Sequence, residues 1–209
     1  MMPISRPVIG VILVFVTGAL FGTLGDWCHV ISGTTGYPLD IYPWYFAGGK
    51  MPFWVPLLFG SAGIAIGMLH FTFDHVIAWR KWKKIPARPG AKNLGMIVIQ
   101  AIVFCTIYAL SGFVTLPAGG LKDVMMGALA LATWIAFDRT LQGFALGVMA
   151  AIGGVAVEIY LTSMGGFYYN ASQANFLGVV PTWLGWLYMA ASVTGGNFNR
   201  WYFASKRVV

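Results

Sequence analysis

The stretch VMMGALALATWIAFDRTLQGFALGVMAAIGG, residues 124–154, decides the fold. It holds an apolar run, then Phe137-Asp138-Arg139, a short turn, and a second apolar run opening at Gly143-Phe144-Ala145-Leu146-Gly147-Val148. A turn of about five residues between two helices makes them antiparallel neighbours. Gly143, Gly147, Ala151, Gly154 and Glu158 recur at intervals that place them on one face of the second helix. That face is a groove of small residues ending in the one carboxylate expected well inside a span. It can receive a neighbouring helix or leave room for a flat apolar ligand, and periodicity does not separate the two.

Composition places this hairpin in a membrane. Of the 209 residues, 9% are charged and 58% apolar, and the mean hydropathy is +0.75. A soluble domain carries about 25% charged residues. The expectation is an all-α integral membrane protein with one membrane domain over residues 1–209. The formal charge of +7 does not point to nucleic acid, because the basic residues flank apolar runs and no polar domain is present to hold a duplex. Cys28 and Cys105 are read as small buried hydrophobes rather than a disulfide. The run from Val8 to Leu24 exceeds the ~7–15-residue apolar core of a signal peptide, so it is read as a retained span.

Working outward, six spans are expected. They are Val8–Leu24 with continuation towards His29, Pro52–Phe73, Leu94–Leu110, Val124–Phe137 with a true start near Leu121, Phe144–Leu161, and Val179–Val193. Thr194-Gly195-Gly196-Asn197 is expected to close the last. Tyr37, Tyr42, Trp44 and Tyr45 in the first loop suit the headgroup layer. All but two of the 13 lysines and arginines fall on one side of such an arrangement, with only Lys50 and Lys122 opposite. The positive-inside rule then puts both termini in the cytoplasm.

Few residues here could carry chemistry. A carboxylate at a helix centre costs about 2.5–3.5 kcal/mol on insertion. Glu158 is therefore either a polar anchor or proton site at the end of a cavity, or a hydrogen-bonded acid tying helices together. His70, Asp74 and His75 are the best metal candidates, but three histidines in the chain make a weak ligand set. The favoured reading is that His70 and Asp74 pair with each other at the cytoplasmic interface. Asp138, at a helix C-terminus, needs a partner: Arg139, the N-terminus of the next helix, or another protein. No lysine is expected inside a span, no phosphate-cradling loop appears, and no nucleophile triad can be placed. The expectation is no enzyme, no metal and no cofactor. The basic loop from Arg80 to Lys92 is read as a topology signal and a contact for anionic headgroups.

These motifs resemble those of the Insig (insulin-induced gene) family. The similarity rests on Phe137-Asp138-Arg139 followed by Gly143-Phe144 and Leu146-Gly147-Val148. Trp54-Val55-Pro56 and the set Thr194, Gly196, Asn197 and Arg200 fall at matching places. The resemblance implies six spans with cytoplasmic ends and a membrane-embedded sterol or lipid sensor. Animal members bind oxysterols among their spans, retain the escort protein Scap, and bring HMG-CoA reductase to degradation. By that resemblance Trp134 and Phe104 line a sterol site, Asp138 matches the residue tied to Scap binding, and Glu158 stands where the family has a glutamine. The chain lacks the polar N-terminal tail of animal members, and Thr140-Leu141-Gln142 replaces their Ser-Arg-Ser. It looks like a prokaryotic homologue, which belongs in the bacterial inner membrane; a eukaryotic one would belong in the endoplasmic reticulum.

The expected lipid site comprises Phe104, Thr106, Tyr108 and Trp134, with Gly147, Gly154 and Glu158 on the groove. It offers no buried cation for a phosphate, so the expected ligand is a neutral amphiphile, diacylglycerol-like or a sterol. Asp138 and Arg139 are expected either to clamp the turn or to meet a membrane-protein partner. Self-association is expected, with a trimer as the first guess. Two rivals stand against this reading: a small proton-coupled transporter built around Glu158, and a lipid-metabolising enzyme using His70 and Asp74.

Overall fold

The computed structural model describes residues 6–38, 45–46, 51–79 and 88–204. Its helices are α1 (Arg6–Ile31), α2 (Trp54–Trp79), α3 (Leu94–Phe113), α4 (Leu121–Phe137), α5 (Leu141–Ser163) and α6 (Leu184–Ala204). A 20-residue helix rises about 30 Å, the thickness of the hydrocarbon core. By length and apolarity α1, α2, α3 and α5 can each cross a membrane. Asn93 caps α3 by accepting from the Met96 N–H at 2.9 Å, and Thr140 caps α5 by accepting from Gly143 N–H at 2.9 Å.

The remaining two helices depend on their neighbours. The 17 residues of α4 rise only about 25 Å. Helix α6 is the hub of the bundle and touches each of the other five. Its polarity follows from that position, because its polar side chains tie it to α2, α3 and α4. Ser192 bonds to His70 of α2 at 2.9 Å. The Asn197 amide donates to Gln100 of α3 at 2.8 Å and to the Phe137 carbonyl of α4 at 3.1 Å. Asn199 donates to the Gly67 carbonyl of α2. In a bilayer such groups are tolerated where protein surrounds them.

The sixth span therefore differs from the sequence expectation of Val179–Val193. It begins at Leu184, after Pro181, and runs straight through Thr194-Gly195-Gly196-Asn197. The two glycines do not end the helix. A side chain at Gly196 would meet the His70 ring at 2.5 Å, and one at Gly195 would meet Ile66 at 3.3 Å. The first span continues past Leu24 towards His29, as expected, and ends at Ile31, which carries Asp26 and His29 into the fold.

Two short ladders close one end. β1 (Thr35–Gly36) pairs antiparallel with β4 (Tyr168–Tyr169), joining the loops that follow α1 and α5. β2 (Tyr45–Phe46) pairs with β3 (Met51–Pro52). Tyr37 is not in a headgroup layer: it is buried and donates to Asp26 at 2.5 Å. Tyr42, Trp44 and the Tyr45 side chain lie outside the described residues. Lys122, expected to face water, is the second residue of α4 and fully buried. Its ammonium donates to Gln173 at 2.9 Å and lies 4.9 Å from the Trp183 ring centroid. Cys28 and Cys105 are half-buried free thiols.

Candidate functional site

The groove on α5 is occupied by protein. Met189 lies against Gly147, the Tyr188 ring against Gly154, and Gly185 across from Ala151. All three partners belong to α6, so the small residues serve close helix approach, the blander of the two sequence readings. The glycines of α1 and α2 do the same: a Cβ on Gly18 would come within 2.7 Å of the Phe59 carbonyl, and one on Gly63 within 3.0 Å of the Val14 carbonyl.

Open space lies elsewhere, in a cavity of about 310 Å³ walled by α1, α2, α3 and α6. Gly18, Gly22 and Gly63 border it at the α1–α2 contact, and Phe59, Phe104 and Leu187 supply apolar surface. Its polar groups are few, as befits a site for an apolar molecule with one oriented end. Thr17 already donates to the Leu13 carbonyl at 2.8 Å. Glu158 reaches the cavity from α5, joined there by Tyr108 of α3 and Tyr188 of α6.

Tyrosines hold the Glu158 carboxyl. Tyr188 donates to one oxygen at 2.7 Å, and Tyr169 of β4 donates to the other at 2.9 Å. Burial, with the Glu158 charge behind it, pushes the Tyr169 phenol well above its ordinary range, so it acts as a donor. The β1–β4 ladder thus positions phenols over two acids at once. Tyr37, one residue past β1, covers Asp26 in the same way, its phenol raised first by burial and then by the Asp26 charge. Asp26 is a second carboxylate within a span; it lies in the expected continuation towards His29 but was not read as a site residue.

The expected site residues divide accordingly. Phe104, Tyr108 and Glu158 line the cavity. Gly147 and Gly154 face α6 instead, for the packing reason given above. Thr106 turns outward and bonds its own helix at the Ile102 carbonyl, 2.9 Å away. Trp134 does not reach the cavity. Its indole donates to the Thr140 carbonyl at 2.9 Å and meets the Phe144 ring edge-on, with centroids 5.4 Å apart. It braces the α4–α5 turn.

That turn is the second polar centre. Asp138 is 1% exposed. It accepts from Arg88 at 2.9 Å, from the Thr140 N–H at 3.0 Å and from the Thr140 hydroxyl. Its carboxylate lies over Gly143, leaving no room for a side chain there. Of the two expected partners within the chain, the N-terminus of α5 is the one that Asp138 meets. Arg139 turns away, exposed in a left-handed conformation with φ 64°, and donates to the Ile135 carbonyl at 2.6 Å. The main partner, Arg88, comes from the basic loop read as a lipid contact; it is buried, not spread on a headgroup layer. Arg80, Lys81, Lys83 and Lys84 lie outside the described residues.

The network continues to α2 and α6. Arg200 grips Asp74 with two bonds, at 2.7 and 3.1 Å, and Gln142 donates to the same carboxylate at 2.5 Å. Asp74 is therefore paired with Arg200, and His70 with Ser192, not with each other. The His75 side chain lies outside the described residues. The reason is packing: α6 lies along the α2 face that carries both and offers each its own partner, Ser192 to His70 and Arg200 to Asp74. Asp26, Arg88, Gln142, Tyr188 and Arg200 were all missed as site-forming residues; only the length of α1 and the matching polar positions on α6 carried any local signal of them.

Six helices in this order, with a Phe-Asp-Arg turn locked by buried charge, can be set against known proteins. No protein-family model matches the sequence. An "INSIG protein homolog" of Mycolicibacterium vanbaalenii is 31% identical over 182 residues, covering 87% of this chain and 81% of that protein. The chain belongs to the Insig family. The insulin-induced gene 2 protein of Gallus gallus is 27% identical over 91% of this chain and 79% of its own length. The crystal structure of the Mycobacterium vanbaalenii Insig homologue matches with a TM-score of 0.79 at 26% identity, over 95% of this chain and 96% of that one. A cross-linked trimer of the mycobacterial protein matches equally well. As an Insig protein of the prokaryotic kind, the chain is an integral membrane protein, and its apolar helices agree with that.

Proposed function

We propose that this Insig homologue is a regulatory lipid-binding protein and not an enzyme, holding one neutral amphiphile, a diacylglycerol or a sterol, in the cavity between α1, α2, α3 and α6. The observation that supports this most is the cavity itself: apolar walls and a single carboxyl group fixed by two phenols at its end. The exposed residues Leu94 and Val98 are part of its lining. The acyl or ring portion can therefore enter sideways from the bilayer. Family membership supports a regulatory role, and the related trimer supports self-association of this chain. The charge distribution supports a cytoplasmic location for the end carrying Arg88, Arg139 and Arg200 and for both termini. The chain acts there as one membrane domain. Asp138 serves as a clamp, so a membrane-protein partner at this turn would meet Arg139 and Leu141, the latter 84% exposed.

Native mass spectrometry of the detergent-purified protein tests binding and assembly together. The expected spectrum shows a homo-oligomer, a trimer on present grounds, with about one neutral lipid per chain. Protein free of neutral lipid that also fails to take up added diacylglycerol or cholesterol would end the reading. Glu158→Gln separates it from a proton-coupled transporter. The amide oxygen still accepts from one phenol and the amide nitrogen donates to the other, so lipid occupancy stays within about threefold of wild type, a change of under about 0.7 kcal/mol. Proton-coupled uptake by vesicles holding the wild-type protein that collapses in Glu158→Gln would favour the transporter instead.

A further inference from the structure

Resting on the lipid-binding reading, we propose that the polar end of the cavity selects a single neutral hydroxyl group, with Glu158 accepting its hydrogen and Tyr108 donating to its oxygen. The starting observation is that Tyr108 lines the cavity, is 6% exposed, and donates to no described residue. Its ring is fixed: it lies on Gly25 of α1, where any side chain would overlap it, and is edge-on to His29 with centroids 4.7 Å apart. A buried phenol without an acceptor costs about as much as a lost hydrogen bond, and the cavity is where an acceptor can arrive.

Counting donors and acceptors narrows what that acceptor is. Each Glu158 oxygen already receives one phenol, from Tyr188 and Tyr169. If the carboxyl is ionised, it has lone pairs to spare and no cation beside it among the described residues, so it can take a further donor. If it is protonated, the acid and its two phenols own three hydrogens but make two bonds, so one hydrogen lacks an acceptor. Tyr108 adds another free hydrogen in either state. An alcohol both donates and accepts, so it satisfies the cluster whichever form the acid takes. An ester or ether oxygen accepts only and leaves an ionised carboxylate unserved. A phosphate would face the acid with no cation to hold it. Asp26 does not compete, because its carboxyl is closed off by Tyr37 and is not part of the cavity lining.

Hydroxyl-bearing glycerolipids and sterols share this chemistry, and matched probe pairs tell them apart. Binding of 1,2-dioleoylglycerol and its 3-acetyl ester, and of cholesterol and its methyl ether, would be measured by competition on the full-length protein in detergent. Wild type is expected to prefer at least one alcohol over its capped partner by about tenfold, and the favoured pair names the lipid class. In Glu158→Gln, whose amide offers hydrogens as well as a lone pair, the preference falls to about twofold, while Tyr108→Phe, its ring still on Gly25, weakens both members of the favoured pair. A wild-type preference below twofold in both pairs overturns the proposal, and that comparison holds even if the variants do not fold. A full preference retained by a folded Glu158→Gln also overturns it. Failure of the broader lipid-binding reading looks different, since then no member of either pair binds wild type.

Discussion

Replacing Asp138 with alanine lowers the thermal midpoint of the detergent-purified protein by about 10 °C. The Arg88 guanidinium is buried 2.9 Å from that carboxylate, and burial already pulls its pKa below the ordinary value. Removing one partner of a buried ion pair costs about 3–5 kcal/mol, because the other charge stays desolvated. In a chain of this size 1 kcal/mol shifts the midpoint by about 2–4 °C. The same change removes the Thr140 contacts that position the start of α5, which adds to the effect. Asp138→Asn keeps an acceptor for Thr140 and loses only the charge, so it should fall between wild type and alanine. A shift under about 2 °C for alanine would mean that Asp74, 3.7 Å from Arg88, suffices to hold the guanidinium, and the clamp would lose its assigned importance.

Filling the cavity should have the second large effect. Ala101 of α3 and Ala191 of α6 both line it. The double substitution Ala101→Phe with Ala191→Phe puts two rings where the amphiphile would lie, and lipid occupancy should fall by about tenfold or more, at least about 1.4 kcal/mol. The thermal midpoint measured alongside separates occlusion from damage, since an overpacked core loses about 1–3 kcal/mol. Leu141→Phe, at the exposed start of α5, should leave occupancy unchanged. Unaltered occupancy in the double variant would place the lipid outside this cavity.

The same residues show why the site was only partly legible. Phe104, Tyr108 and Glu158 could be proposed from the sequence because an aromatic or acidic residue inside an apolar run is conspicuous on its own. Arg88 could not, because one arginine in a basic loop resembles the next until the fold folds one of them inward. Trp134 and Gly154 have the composition of a ligand site but serve a turn and a helix contact. Helical periodicity identifies a face and leaves open what lies against it. His70 and Asp74 share a face, yet each bonds to a different residue of α6.

The order of apolar runs, the short turn around Asp138 and the placement of basic residues were enough to determine a membrane protein of six helices, because the bilayer demands runs of fixed length with charge outside them. Which helix lies at the centre, where space remains and which charges are buried were decided by tertiary structure alone. Those properties depend on contacts between residues far apart in the chain, such as Arg88 with Asp138 and Tyr188 with Glu158. Local pattern fixes what each helix can offer, and only packing fixes which of those offers meets a partner.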